Sequence, residues 1–375
     1  MISVCYVVST LERSGPTNQL FDTVSRLDRD RFAPSVLTLS PEPDDSLRPK
    51  FRDLGVDVSS LGLSRLDGFL RGRSAIRSFV ADRDPDVVHS HGVRADFLSA
   101  TQLAGYERVS TIHNYPYDDY PRLYGRLKGI PIAWLHCYSL RRLDHPVACS
   151  PTVERQMATH GVAADCIPNG VDAERYSPPS RERVAEARRS LDLPPDETVF
   201  VSVGAFIERK DPETVIRGFS ESGLGDSATL VMVSDGPLFD RCRDLARRDE
   251  SIRLPGRVEE VGPYLDAADC FVSASHAEGL PLAVLEALST GLPVCLSDIG
   301  PHHDLLDVRS GAGVTFEPGS PSALATAIES IDDADRDAMA TAARETVTEE
   351  LSAGRMAERY QRLYERVAES RSSVE

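Results

Sequence analysis

The feature that most constrains the fold is a repeated alternation. Short runs rich in β-branched residues are each followed by a stretch long enough for a helix. The runs lie at 2–9, 36–39, 87–89, 109–113 and 147–150 and, after an interruption, at 198–204, 229–234, 270–274 and 294–297. Continuous apolar runs predict strands buried on both faces, and helix-length spacers predict parallel pairing, because parallel neighbours must be joined by a crossover. The fold class that follows is α/β, in two doubly wound Rossmann-like domains. The 375-residue length agrees, since a domain usually takes about 150 residues. Between the two series lies Ile167-Pro-Asn-Gly-Val-Asp172, then a polar stretch with Pro178 and Pro179, the punctuation of a hinge. We therefore expect domains at 1–170 and 171–352. Beyond 352, Met356, Tyr360, Leu363, Tyr364 and Val367 recur at helical spacing, so a closing helix is expected at 353–375, frayed from 370 onward.

Composition narrows the function. A formal charge of −17 disfavours attraction to phosphate backbones, so no nucleic-acid partner is expected. Lysine occurs only at Lys50, Lys128 and Lys210, which makes each of them worth examining. The seven cysteines are scattered and never spaced as Cys-x-x-Cys. Neither a disulfide framework nor a structural zinc site is expected, and a reducing, cytoplasmic setting is. The chain opens directly on a strand-like run without a basic leader. No apolar run approaches the roughly 18–20 residues that cross a bilayer, so no membrane span is expected.

The most informative stretch is Ser273-Ala-Ser-His-Ala-Glu-Gly-Leu-Pro-Leu-Ala-Val-Leu-Glu-Ala-Leu-Ser-Thr-Gly-Leu-Pro293. It follows a predicted strand and opens a predicted helix over 281–290, with Pro281 in the first turn and Gly291 as the cap. Glu278 then lies on the loop and Glu286 on the helix. Backbone N–H groups from Gly279 to Ala283 would leave the helix start, where their partial positive charge suits a phosphate or a sugar hydroxyl. By themselves two such glutamates are equally well a capping carboxylate and a solvated helix residue.

With its surroundings the stretch resembles the signature of glycosyltransferase family four, which comprises retaining, nucleotide-sugar-dependent enzymes of the GT-B fold. The resemblance continues in Val199-Phe-Val-Ser-Val-Gly-Ala-Phe-Ile-Glu-Arg-Lys-Asp211, Ile252-Arg-Leu-Pro-Gly-Arg-Val258, Leu265-Asp-Ala-Ala-Asp-Cys-Phe-Val-Ser273, Asp298-Ile-Gly300 and Gly313-Val-Thr-Phe-Glu-Pro-Gly319. Weaker counterparts run in order through the first half: Asp86-Val-Val-His-Ser-His-Gly92, Ser110-Thr-Ile-His-Asn114, Val147-Ala-Cys-Ser150 and Ile167-Pro-Asn-Gly-Val-Asp172. Nearly the whole chain is covered, and the C-terminal motifs are the more specific, so the resemblance says more about donor than acceptor.

What the resemblance implies is concrete. The fold would be GT-B: an N-terminal acceptor-side domain and a C-terminal nucleotide-sugar-binding domain facing across a cleft, with the last helix returning to the first domain. Glu286 would accept hydrogen bonds from ribose hydroxyls. Arg209, Lys210 and the amides near Gly279 would hold the diphosphate, and Glu278 with Gly279, Leu280, Pro281 and Leu282 the sugar hydroxyls. Backbone around Arg257 and Val258 would meet the base, and His113 and Gly15 would close the site from the other domain. Glu278, His113, Lys210 and Arg209 form the expected catalytic set, with no cofactor and no metal. Two departures stand out. Ala205 occupies the position where the family commonly has an arginine, leaving Arg209 to compensate, and Ser14 replaces one of two glycines before the first helix.

Other readings of the same residues are blander. Arg209 and Lys210 suit a solvated loop, Gly15 a plain turn, and His113 a packed core histidine. His89 and His91 alternate along a strand without further ligands, so His91 is read as an acceptor-side contact and not as a metal ligand. The triples Asp28-Arg-Asp30, Asp82-Arg-Asp84 and Asp335-Arg-Asp337 are read as chance in an acidic chain. The stretch 115–146 carries Arg122, Arg126, Lys128, Arg141 and Arg142 among tyrosines, leucines and Trp134. It fits a peripheral contact with the inner face of a membrane, and it fits equally an ordinary helix packed on its own domain. The expected activity is transfer of a sugar, with retention, from a nucleotide-sugar donor to a glycan, a lipid-linked sugar or a small molecule. The alternatives are a GT-B nucleotide-sugar epimerase and a non-catalytic nucleotide-sugar-binding protein.

Overall fold

The computed structural model describes residues 1–64, 72–332 and 334–372. The chain forms two compact units, Met1–Gly170 together with Ala353–Glu375, and Val171–Ser352. In the first unit the strands are β1 (Ile2–Val8), β2 (Phe32–Thr38), β3 (Asp57–Ser60), β4 (Val87–His91), β5 (Glu107–Ile112), β6 (His145–Ala148) and β7 (Asp165–Cys166), in the order β3-β2-β1-β4-β5-β6-β7. The second unit holds β8 (Thr198–Val203), β9 (Ala228–Val233), β10 (Ile252–Gly256), β11 (Cys270–Ser273), β12 (Val294–Ser297) and β13 (Gly313–Phe316), in the order β10-β9-β8-β11-β12-β13. Every pairing between these strands is parallel. Each unit is the doubly wound α/β architecture that the alternating pattern predicts.

The apolar runs are continuous because both sheet faces are covered. Along β1, Val4, Tyr6 and Val8 join one core with Phe32, Met356 and Tyr360, while Cys5 and Val7 join another with Ile76, Val80, Ala95 and Leu98. The first of these cores is closed by the last helix, Ala353–Ser372, which lies in the same unit as β1. That helix brings in polar partners as well. The Tyr364 hydroxyl is 3.0 Å from that of Tyr6 and 2.7 Å from His89 Nδ1, while the Tyr360 hydroxyl is 2.7 Å from Thr111 Oγ1. His89 Nε2 meets the same threonine at 2.9 Å. A buried polar network is tolerable only when its members are paired, as these are.

Several expectations shift by a residue or two. The first helix begins at Gly15, because Ser14 is its N-cap and accepts from the Thr17 N–H at 3.4 Å. His113 is the first residue beyond β5 and not its last. Pro281 caps the helix Leu282–Thr290 from outside, its φ of −73° paired with an extended ψ of 117°. Gly291 ends that helix at φ +83°, in the left-handed region that favours glycine. The last helix runs on through Ser372, past the fraying expected from 370, and 373–375 lie outside the described residues. The seven cysteines are free, and all but Cys166 are buried; burial pushes the thiols of Cys5, Cys137 and Cys242 up to about 11. No described helix is long and apolar enough to cross a membrane.

Candidate functional site

In a doubly wound sheet, ligands collect where strand order reverses, beyond the carboxyl ends of the strands. In the second unit the reversal falls between β8 and β11, which pair directly. The loop after β8 carries Gly204, Ala205, Arg209 and Lys210, and the loop after β11 carries Ser275 and Glu278. A small pocket walled by Gly204, Ala205, Phe206, Lys210, Ser273 and Ala274 opens at this point.

The two loops are locked by charge. Lys210 Nζ donates to Glu278 Oε1 at 2.5 Å, and an Arg209 terminal nitrogen donates to Glu278 Oε2 at 2.9 Å and to the Ala277 carbonyl at 2.8 Å. Ser275 Oγ donates to Glu278 Oε1 at 2.7 Å. The Arg209 carbonyl accepts from the His276 N–H at 2.8 Å, so the backbones are tied too. The Glu278 side chain is 5% exposed. Burial alone would raise its pKa, but the Lys210 and Arg209 charges and the hydrogen bonds from Lys210 and Ser275 outweigh this and hold the carboxyl at about 2. Glu278 is therefore a permanent carboxylate between two cations.

The other residues expected on the donor side are placed unevenly about this cluster. Gly279, Leu280 and Pro281 are buried and lead into the helix Leu282–Thr290, which has no side-chain N-cap, so its first amides are left to other acceptors. Glu286 lies one turn into that helix, hydrogen-bonded to the Tyr176 hydroxyl and within the field of Arg175. Burial first and then the Glu286 charge push the Tyr176 phenol up. Arg257 and Val258 follow the edge strand β10, two strands away from β8. Sequence reading missed Ser275 and Tyr176, whose parts depend on geometry that their residue types do not announce.

In the first unit the strand order reverses between β1 and β4. Here a pocket of about 200 Å³ is walled by Ser9, Thr10, Glu12, Ser14, Thr17 and His91. Gly15, exposed, is the first residue of the helix that begins beside it. His91 is 8% exposed; its Nδ1 lies 2.9 Å from His113 Nε2, and its Nε2 is without a hydrogen-bond partner among the described residues. Burial is the main cause that lowers the His113 imidazole to about 4 and holds His91 well below the ordinary value, so both rings are neutral at pH 7. A neutral imidazole with one free ring nitrogen can give or take one hydrogen bond, which matches a hydroxyl. Among the described residues no cluster of three metal-ligating side chains occurs.

Two doubly wound units, one of them with a lysine–glutamate–arginine cluster at its switch point, define the GT-B class of sugar-transfer folds. A solved structure of Anabaena HepE in complex with UDP-glucose matches over 100% of both chains with a TM-score of 0.81, at 16% identity. Residues 13–175 match the family described as Glycosyltransferase Family 4, and residues 184–346 match Glycosyl transferases group 1. The chain belongs to glycosyltransferase family four. Among curated relatives it is 28% identical over 238 residues to the UDP-Gal:alpha-D-GlcNAc-diphosphoundecaprenol alpha-1,3-galactosyltransferase of Escherichia coli, spanning 59% of this chain and 60% of that protein. It is also 28% identical over 290 residues to a GDP-mannose-dependent alpha-mannosyltransferase of Mycobacterium tuberculosis, over 73% of this chain and 70% of that one. The match thus spans less than two thirds of the E. coli relative's length.

Proposed function

We propose that this protein is a retaining glycosyltransferase that moves a sugar from a nucleoside diphosphate sugar to an acceptor hydroxyl. The observation that carries this reading is the Arg209–Glu278–Lys210 cluster at the switch point of the second unit. The leaving group of such a reaction is a nucleoside diphosphate, on which negative charge grows as the glycosidic bond breaks. Two adjacent cations and an uncapped helix start stabilise that charge most where it is largest, in the transition state. Arg209 then supplies the second cation that Ala205 cannot. With this charge provided by side chains, transfer is proposed to proceed without a metal.

Glu278 and the amides of Gly279 to Leu282 would bind the transferred sugar, Glu286 the ribose, and the backbone at Arg257 and Val258 the base. The relatives, one named for UDP-galactose and one for GDP-mannose, support a nucleotide-sugar donor and leave its base open. In the first unit, the pocket walled by Ser14, Thr17 and His91 is the proposed acceptor side, and His113 orients His91 there. The Ser275 hydroxyl meets the Glu278 carboxylate, but a carboxyl held at about 2 is too weak a base to activate it. Retention is therefore assigned to attack from the face that the leaving group vacates, not to a covalent intermediate.

The test is donor turnover by the purified protein across UDP-, GDP-, ADP- and dTDP-sugars, with and without a chelator, read by nucleotide release and by NMR of the sugar product. One preferred donor, turnover insensitive to the chelator and a product of unchanged anomeric configuration are expected. Lys210→Ala should lower turnover by roughly 10²–10³-fold or more, the scale of losing one preorganised charge at the reacting centre, with the circular dichroism spectrum unchanged. Near-normal turnover in that variant removes the leaving-group role, and an isomerised nucleotide sugar would replace transfer by epimerisation.

A further inference from the structure

Apart from Met1, the large apolar side chains that the described structure leaves exposed are Leu123, Tyr124, Leu127, Ile130 and Trp134. All five lie on one helical hairpin, Pro116–Tyr124 and Arg126–Leu140, joined at Gly125. Leu127, Ile130 and Trp134 are spaced i, i+3, i+7 and share one face of the second helix. The other face is already packed, because Gly129, Ala133, His136, Cys137 and Leu140 are buried. It is also fastened: His136 Nε2 donates to the fully buried carboxylate of Asp96 at 2.8 Å, and His136 Nδ1 lies 2.9 Å from the Tyr120 hydroxyl. Over 127–136 the usual amphipathic order is inverted, with Gly129, Ala133 and His136 turned inward and Leu127, Ile130 and Trp134 outward. Leu127 is 94% exposed, an arrangement that soluble helices avoid unless the face has a partner.

The charge around this face names the partner. Arg122, Arg126 and Lys128 are exposed beside it, and from 120 to 143 the sequence holds five cations and no acidic residue, within a chain of net charge −17. A second copy of the chain would bring like charges together across a two-fold axis. An anionic bilayer instead offers phosphates to the cations and an acyl boundary to the apolar side chains. We propose that this hairpin docks the protein on an anionic lipid surface, with Leu127, Ile130 and Trp134 entering the headgroup–acyl boundary and Arg126 and Lys128 against lipid phosphates. The proposal stands on the surface alone and uses none of the transfer chemistry.

Trp134 is the only tryptophan in the chain, so its fluorescence reports on this face directly. The experiment adds vesicles of phosphatidylcholine, with and without phosphatidylglycerol, to the intact protein and follows tryptophan emission and flotation. A blue shift and co-flotation with the anionic vesicles, both weakened by salt, are expected. Leu127→Asp should abolish both. Arg126→Glu with Lys128→Glu should weaken partitioning roughly tenfold or more. Because these side chains are exposed, both variants should keep the melting temperature of the parent. Unchanged emission without flotation overturns the proposal, as does undiminished binding by Leu127→Asp. A concentration-dependent dimer that Leu127→Asp breaks, in the absence of vesicle binding, would identify a second copy as the occupant and overturn it too. None of these readouts involves the donor, so the outcome is separable from that of the turnover assay.

Discussion

At the residue scale the decisive group is Glu278, whose carboxylate is held between Arg209 and Lys210. Its pKa falls from 4.5 to about 2 on folding, so the folded state favours the ionised form. The stabilisation is complete above pH 4.5 and is lost as pH falls toward 2, a window worth roughly 3 kcal/mol. Glu278→Gln leaves two cations of 15% and 21% side-chain exposure without their counter-charge, the costly half of a broken buried pair. The difference in stability between parent and variant, measured by denaturant unfolding across pH 2–7, should be largest near neutrality and shrink below pH 4.5. A difference that stays constant with pH would sink this account. Glu278, Arg209 and Lys210 were singled out in the sequence by the family resemblance, since their residue types alone suit a solvated loop equally well. Ser275 and Tyr176 were not, since a serine or tyrosine gains a role only from the partner that folding supplies.

At the scale of elements, the strands absent from the sequence reading are β3, β7, β10 and β13, the four edges of the two sheets. An edge strand is covered less fully than a central one, so it lacks the uninterrupted apolar run that betrays a parallel strand; β7 is a pair of residues, one exposed and one half-buried. Interior strands such as β8 and β12 were read to within a residue for the converse reason. The helix Arg126–Leu140 misleads in another way, because hydropathy marks Leu127 as core and Gly129 as filler. The structure reverses that ranking. A Cβ on Gly129 would stand 2.4 Å from the Tyr120 carbonyl, and backbone cannot yield as a flexible side chain would. Gly129→Ala should therefore destabilise by about 1–3 kcal/mol, the usual scale of overpacking, while Leu127→Ser should stay within about 0.5 kcal/mol as exposed substitutions do. Thermal melts followed by circular dichroism decide this, and equal melting temperatures for the two variants would refute it.

For the whole molecule, the two units are built differently along the chain. The second is one continuous segment, Val171–Ser352, whereas the first is completed only by Ala353–Glu375. Met356, Tyr360, Leu363, Tyr364 and Val367 are each 3% exposed or less within the first unit's core. At about 1.5–3 kcal/mol per buried side chain, the five together contribute on the order of 10 kcal/mol, as much as the whole net stability of a typical domain, about 5–15 kcal/mol. Removing the helix also strips His89 and Tyr6 of their buried partner Tyr364, a further cost. A chain ending at residue 352 should thus retain the unfolding transition of the second unit and lose that of the first, while residues 171–352 alone should fold cooperatively. Calorimetry of the truncated and full-length chains separates these cases. Two undiminished transitions in the truncated chain would show that the last helix is an accessory, whereas loss of both would show that the second unit depends on the first for its folding. The helix was visible in the sequence by its 3.6-residue spacing, but its destination was implied only by the family resemblance. That destination depends on Tyr360 and Tyr364 meeting Thr111 and His89 across about 250 and 275 residues of chain, pairings that periodicity does not encode.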